Sequence, residues 1–199
     1  MYVISDVPKE ILNQLEVVIH EKNKIPLNAD LAGNIKNEFA IPKGKPFISP
    51  FLMQMIVAHK EKYPDYFKKA HSTFDYKEVD IGLFNLWVNF QKKHEFNPVH
   101  VHDGLFSFVI WHKVPYTMGA EKANFPNMKE GDIKAGMFAF LFTDPMGRVT
   151  QETLPVDKTW EGKIALFPAN LNHQVYPFYT SDEYRISISG NLGFQAKKN

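Results

Sequence analysis

Hydrophobic positions in the first 66 residues recur at helical spacing, and from residue 79 onward they alternate. In KEILNQLEVVIHE, residues Ile11, Leu12, Leu15, Val18 and Ile19 fall on one face of a helix, with Asp6 as its N-cap and Pro8 in its first turn. Residues 21–47 carry Asn, Gly, Lys and Pro with little periodicity, which predicts a long loop. Ser49 and Pro50 then supply an N-cap and N1 pair ahead of FLMQMIVAHKEKY, predicting a second helix that continues after Pro64 as DYFKKA.

At Val79 the period changes to two. VDIGLFNLWVNFQ puts Phe84, Leu86, Val88 and Phe90 on one face of a strand and Asn85, Trp87, Asn89 and Gln91 on the other. LFSFVIWHKV, AGMFAFLFTD, RVTQETL, KIALFP, HQVYPF and YRISISGN are further strands between Gly, Pro, Asn and Asp turn signals. Two helices followed by strands predict a mostly β, α+β domain with a helical flank at about 1–76 and a β core at about 77–193. The stretch from Tyr116 to Lys134 is long for a connection and predicts a lid or substrate loop.

Composition narrows the function. A chain of 199 residues with 44% hydrophobic content buries one sizeable core, so residues 1–199 are expected to form one domain. A net charge of +1 with scattered lysines gives no footprint for nucleic acid or an anionic membrane. The chain has no cysteine, which excludes disulfides, thiolate metal sites and a cysteine nucleophile, and leaves nitrogen and oxygen as metal ligands. No signal-peptide pattern opens the sequence and no apolar run approaches ~18 residues. A soluble cytoplasmic protein is expected.

His100 and His102 stand one residue apart before an apolar strand. In an extended segment they point to the same side, the geometry of chelation, although such a pair alone is more often two solvated histidines, and a third ligand would reverse that. His173 follows a strand and a turn, where a barrel brings it beside the pair. Arg185, one of only two arginines, shares a strand face with Ser187 and Ser189, and inside a barrel its fork would bind a carboxylate. Trp87 and its polar companions either line the same interior or face outward. His20, His59, His71, His94 and His112 follow no ligand spacing.

LWVN, HVHDGLFSFVIW, LFPANLNHQVYPF and RISISGN occur in the order in which the Fe(II)- and 2-oxoglutarate-dependent oxygenases carry their motifs, and over about residues 84–192 the chain resembles the prolyl-4-hydroxylase-like branch of that family. The resemblance implies a double-stranded β-helix, a cupin-like jelly roll with N-terminal flanking helices. It implies Fe(II) held by His100 and His173, and 2-oxoglutarate held by Arg185 and Ser187. It further implies O2 as co-substrate and hydroxylation of an unidentified peptide or small molecule, with a peptidyl proline as the first candidate. The family's H-x-D/E carboxylate position is His102 here, which is taken as the third ligand ahead of Asp103. Asn85, Trp87, Asn89 and Gln91 would line the pocket. Two other readings stay open: a three-histidine cupin-type dioxygenase without 2-oxoglutarate, and a non-catalytic jelly-roll module. Oligomeric state is not legible in the sequence.

Overall fold

The computed structural model describes residues 1–22, 24–27, 32–66 and 79–196. Among the described residues, eleven strands fall into two antiparallel sheets, the double-layered arrangement of a jelly roll. They are β1 (Val3–Asp6), β2 (Ile25–Pro26), β3 (Asn37–Ala40), β4 (Val79–Gln91), β5 (Asn97–His100), β6 (Phe106–Lys113), β7 (Phe138–Thr143), β8 (Val149–Leu154), β9 (Lys163–Pro168), β10 (His173–Val175) and β11 (Arg185–Ala196). The larger sheet runs β1-β9-β6-β11-β4-β3-β2 and the smaller β5-β10-β7-β8.

The larger sheet is covered on both faces, and its central strands show why. On β6, Phe106, Phe108 and Ile110 pack with the helices α1 (Lys9–Ile19) and α2 (Lys45–Lys62), whereas Val109 and Trp111 pack toward the smaller sheet. β9 divides likewise, with Ile164 and Leu166 outward and Ala165 and Phe167 inward. On β4 the apolar residues Leu86 and Val88 join the helical core, which leaves Trp87, Asn89 and Gln91 for the interior between the sheets. On β11, Ile186 and Ile188 face the helices, so Arg185, Ser187 and Ser189 turn inward.

Four strands escape the hydrophobic pattern. The loop predicted over 21–47 holds β2 and β3, which add an edge to the sheet beside β4. β1 pairs with β9, and Asp6, predicted as a helix cap, is the last residue of that strand, its carboxylate bound to Lys163 at 2.8 Å. The fourth is β5, which pairs with β10. Helix α2 begins at Lys45, with Pro46 in its first turn, rather than at Ser49 and Pro50. Pro50 sits inside the helix and costs one ladder hydrogen bond, while the Ser49 hydroxyl donates to the Lys45 carbonyl. Residues 67–70 of the predicted helix continuation, and His71, lie outside the described residues. Among the described residues no helix is long and apolar enough to cross a membrane.

The segment predicted as a lid is docked. It contains α3 (Met118–Ala123), capped by Thr117, and the fully buried Glu121 accepts hydrogen bonds from the backbone N–H of Tyr179 and Thr180, both at 2.9 Å. Tyr116 stacks on Phe178 at 4.9 Å and Phe125 meets Tyr179 edge-on at 5.0 Å. None of its residues lines the histidine pocket described below. A buried carboxylate thus ties the segment to the backbone at residues 179–180.

Candidate metal centre

His100 and His173 are directly opposed partners across the β5–β10 pair, and His102 follows two residues after His100. The His102 N–H donates to the Ala169 carbonyl at 2.8 Å, which keeps the chain beyond β5 alongside the β9–β10 turn. One ring nitrogen from each of the three histidines lies within 4.8 Å of the others. The Nδ1–H of His100 donates to the Pro98 carbonyl at 2.7 Å, and that of His173 to the Leu171 carbonyl at 2.8 Å. A carbonyl only accepts, so both Nδ1 atoms carry the proton and both Nε2 atoms keep a lone pair. The edge of Trp87 packs on the ring of His102 at 5.6 Å, and Phe138 stacks on His173 at 5.7 Å.

Burial keeps these rings neutral. It pushes the pKa of His102 down to about 4, helped by His100, and that of His173 down to about 3, helped by His100 and His102. His100 is lowered for the same reason, against the pull of the Pro98 carbonyl. Neutral imidazoles offer lone pairs without first releasing a proton. The donor set therefore fits a first-row divalent ion such as Fe(II), which accepts imidazole nitrogen.

Glu38, across from Asn89 in the β3–β4 pair, shifts the opposite way: burial, then the charge of Glu95, raises it to about 7. The two shifts oppose each other in pH dependence. Unfolded histidines, near 6.5, bind protons that the folded ones refuse, so the metal-free protein gains stability as pH rises from about 4 to 6.5. Folded Glu38 keeps a proton that the unfolded chain loses above about 4.5, so it subtracts stability between 4.5 and 7. A Glu38→Gln variant is expected to show the steeper rise, read from urea midpoints measured across that range. An unchanged slope would contradict the burial of the Glu38 carboxylate.

The pocket around the triad is walled by Trp87, Val109, Phe138, Phe167 and Val175 and carries Asn89, Gln91, Ser187 and Ser189 from β4 and β11. Asn85 is not part of it: the exposed Asn85 and the exposed Asp103 line a neighbouring hollow, and Asp103 is absent from the ligand group. Glu38 and Asn97 also line the pocket, and no periodicity or motif in the sequence marks them.

Arg185 is 3% exposed and does not line this pocket. All five of its N–H groups are accepted within the protein. Nε and Nη2 both donate to Gln91 Oε1, at 3.1 and 2.6 Å; Nη2 also reaches the Tyr176 carbonyl, and Nη1 reaches the Tyr116 hydroxyl and the Gly136 carbonyl. Gln91 Oε1 thus takes the two-point contact that a carboxylate takes from an arginine fork, and Gln91 is the residue between Arg185 and the pocket. Ser187 accepts from Asn89 Nδ2 at 3.3 Å.

With this geometry in place, the family model described as "Putative 2OG-Fe(II) oxygenase" matches residues 85–191, which span the β4 face, all three histidines and Arg185. No curated protein matches the sequence. Among solved structures, a Pseudomonas putida prolyl-4-hydroxylase aligns with a TM-score of 0.55 at 11% identity, over 99% of this chain and 93% of that one. A 2OG-Fe(II) oxygenase family oxidoreductase from Burkholderia pseudomallei aligns at 0.51 and 14% identity, over 96% and 84% of the two chains. The non-heme alpha-ketoglutarate-dependent epimerase SnoN from nogalamycin biosynthesis aligns at 0.50 and 13% identity, over 96% and 78%. At such identities the likeness is one of fold.

Proposed function

The chain belongs to the 2OG-Fe(II) oxygenase family, and on that premise we propose that His100, His102 and His173 hold the iron, that Arg185 and Ser187 anchor 2-oxoglutarate, and that residues 1–199 form one oxygenase domain hydroxylating a C–H bond of its substrate. The observation that carries this reading is the convergence of three neutral ring nitrogens within 4.8 Å inside the matched segment.

Iron and 2-oxoglutarate, when bound, supply an oxidant derived from O2, and 2-oxoglutarate leaves as succinate and CO2. The rest is positioning by this chain. The Pro98 and Leu171 carbonyls hold two imidazoles by their Nδ1–H, so their Nε2 lone pairs are aimed before the ion arrives. Three imidazoles bring no negative charge, so the ion keeps its double charge, where an H-x-D/E site would cancel one unit. Arg185, whose fork is taken up by the Gln91 amide oxygen, would hold the cosubstrate's far carboxylate if Gln91 turned aside, and the Ser187 hydroxyl would donate from the same strand face. The aromatic wall of Trp87, Phe138 and Phe167 excludes bulk water from the reacting atoms.

A peptidyl proline is the proposed substrate, supported by likeness in fold to the Pseudomonas putida prolyl-4-hydroxylase. The test is succinate release by the Fe(II)-loaded protein, with and without proline-containing peptides. Metal-dependent succinate formation that rises with one of the peptides is expected. No succinate under any of these conditions would overturn the oxygenase activity, and succinate unresponsive to every proline peptide would overturn the substrate.

A further inference from the structure

Glu38 is fully buried, and neither of its carboxylate oxygens has a hydrogen-bond partner. The side-chain carbonyl oxygens of Asn89 and Asn97 are buried and unpartnered as well. These acceptors are neighbours. Glu38 pairs across the sheet with Asn89, whose amide N–H is already given to Ser187, and a side chain built on Gly33 would meet both Asn97 Oδ1 at 2.2 Å and Glu38 Oε1 at 3.3 Å. All three residues line the pocket that holds the histidines, yet Glu38 is not in the ligand group. The charge that acts on Glu38 is another carboxylate, Glu95.

Buried polar groups without partners are rare, and four such oxygens on three residues that line one pocket are rarer. Water would satisfy the oxygens but would do little to favour the ionised form of Glu38, whose pKa burial raises to about 7. An alcohol would bring one donor and add lone pairs where acceptors are already in surplus. A primary ammonium has three N–H donors, no acceptor and a positive charge, which matches one carboxylate flanked by two amide carbonyls.

We propose that the substrate of this pocket carries a primary ammonium group, bound by Glu38 with Asn89 and Asn97 as the flanking acceptors. The inference rests on the reading of the pocket as an iron and 2-oxoglutarate site, and it holds whether or not proline is the residue hydroxylated. Glu38 then selects the substrate by charge. A free alkylamine and a lysyl side chain share this chemistry.

The test is the melting temperature of the anaerobic protein loaded with Fe(II) and 2-oxoglutarate, measured with n-butylammonium chloride, Nα-acetyl-lysine methylamide, n-pentanol and potassium chloride. A rise with one of the amines, absent with pentanol and the salt and lost in Glu38→Gln, is expected; the amine that acts tells the free source from the peptide source. No rise with either amine, an equal rise with pentanol, or an unchanged rise in Glu38→Gln overturns the proposal. The metal-free Glu38→Gln protein should melt no lower than the parent at neutral pH, because the carboxylate it loses has no internal partner. A lower melting temperature would reveal such a partner and also overturn it. Iron and 2-oxoglutarate uptake, measured on the same samples, separates the two readings: a protein that takes up both and ignores the amines refutes the ammonium alone, and one that takes up neither refutes both.

Discussion

His173→Ala is expected to lose iron binding by well over the about 10- to 100-fold that removal of a ligand's supporting partner costs, and to release no succinate. His173 is the most buried of the three histidines, pairs across the strands with His100, and has its ring centroid 4.2 Å from that of His100 and 5.0 Å from that of His102. Two ligands from one extended segment cannot close a site alone. The truncation also opens a hole between Phe138 and Phe167, whose rings lie 5.7 and 4.8 Å from the imidazole, so a loss of about 1–3 kcal/mol of stability is expected beside the metal defect. Circular dichroism separates a folded, iron-free protein from an unfolded one. A folded variant that kept its iron would remove His173 from the ligand set.

The second large effect is expected from Arg185→Lys. An ammonium cannot reproduce the fork, so the affinity for 2-oxoglutarate should fall roughly tenfold to a hundredfold, the equivalent of about 1.5 to 3 kcal/mol for a charged hydrogen bond. The buried cage adds a separate cost. Lysine has three donors for acceptors that take five hydrogen bonds, from Gln91, Tyr116, Gly136 and Tyr176, and each buried oxygen left unpaired costs about 1–3 kcal/mol. Iron binding is retained, because Arg185 contributes nothing to the triad. Ser187→Ala removes one neutral hydroxyl and should cost less. Calorimetry with 2-oxoglutarate and urea unfolding together divide the two roles: a loss of stability with unchanged 2-oxoglutarate affinity would make Arg185 structural only.

How far the sequence spoke depended on period and length. β4 and β9 match their predicted bounds because each alternates between residues for the helices and residues for the barrel over six positions or more. β2 is two residues long and β5 contains Pro98, so neither spans enough residues to show a period. Helix α2 starts a turn before its apparent cap because Pro46 opens it and burial of Ile48 and Leu52 outweighs the misplaced Pro50. The histidines were legible from the i, i+2 spacing and the later strand. Glu38 was not: NEFA sits among Gly, Asn, Lys and Pro, and its burial arises only from pairing with β4, far away in sequence. The docking of 116–134 escaped for the same reason, since the donors that hold Glu121 belong to Tyr179 and Thr180. The rarity of arginine singled out Arg185, but the cage that consumes its donors comes from four separate segments.

The most direct measurement is anaerobic calorimetry of 2-oxoglutarate added to the protein with and without Fe(II). One equivalent of 2-oxoglutarate should bind to the iron-loaded protein, with much weaker binding when iron is absent or when His173 is alanine, because in the proposed site iron and Arg185 would hold opposite ends of the same molecule. An iron-loaded protein that ignores 2-oxoglutarate, or binds it equally well without the metal, would contradict a joint iron and 2-oxoglutarate site and leave the three histidines as a metal site of another kind.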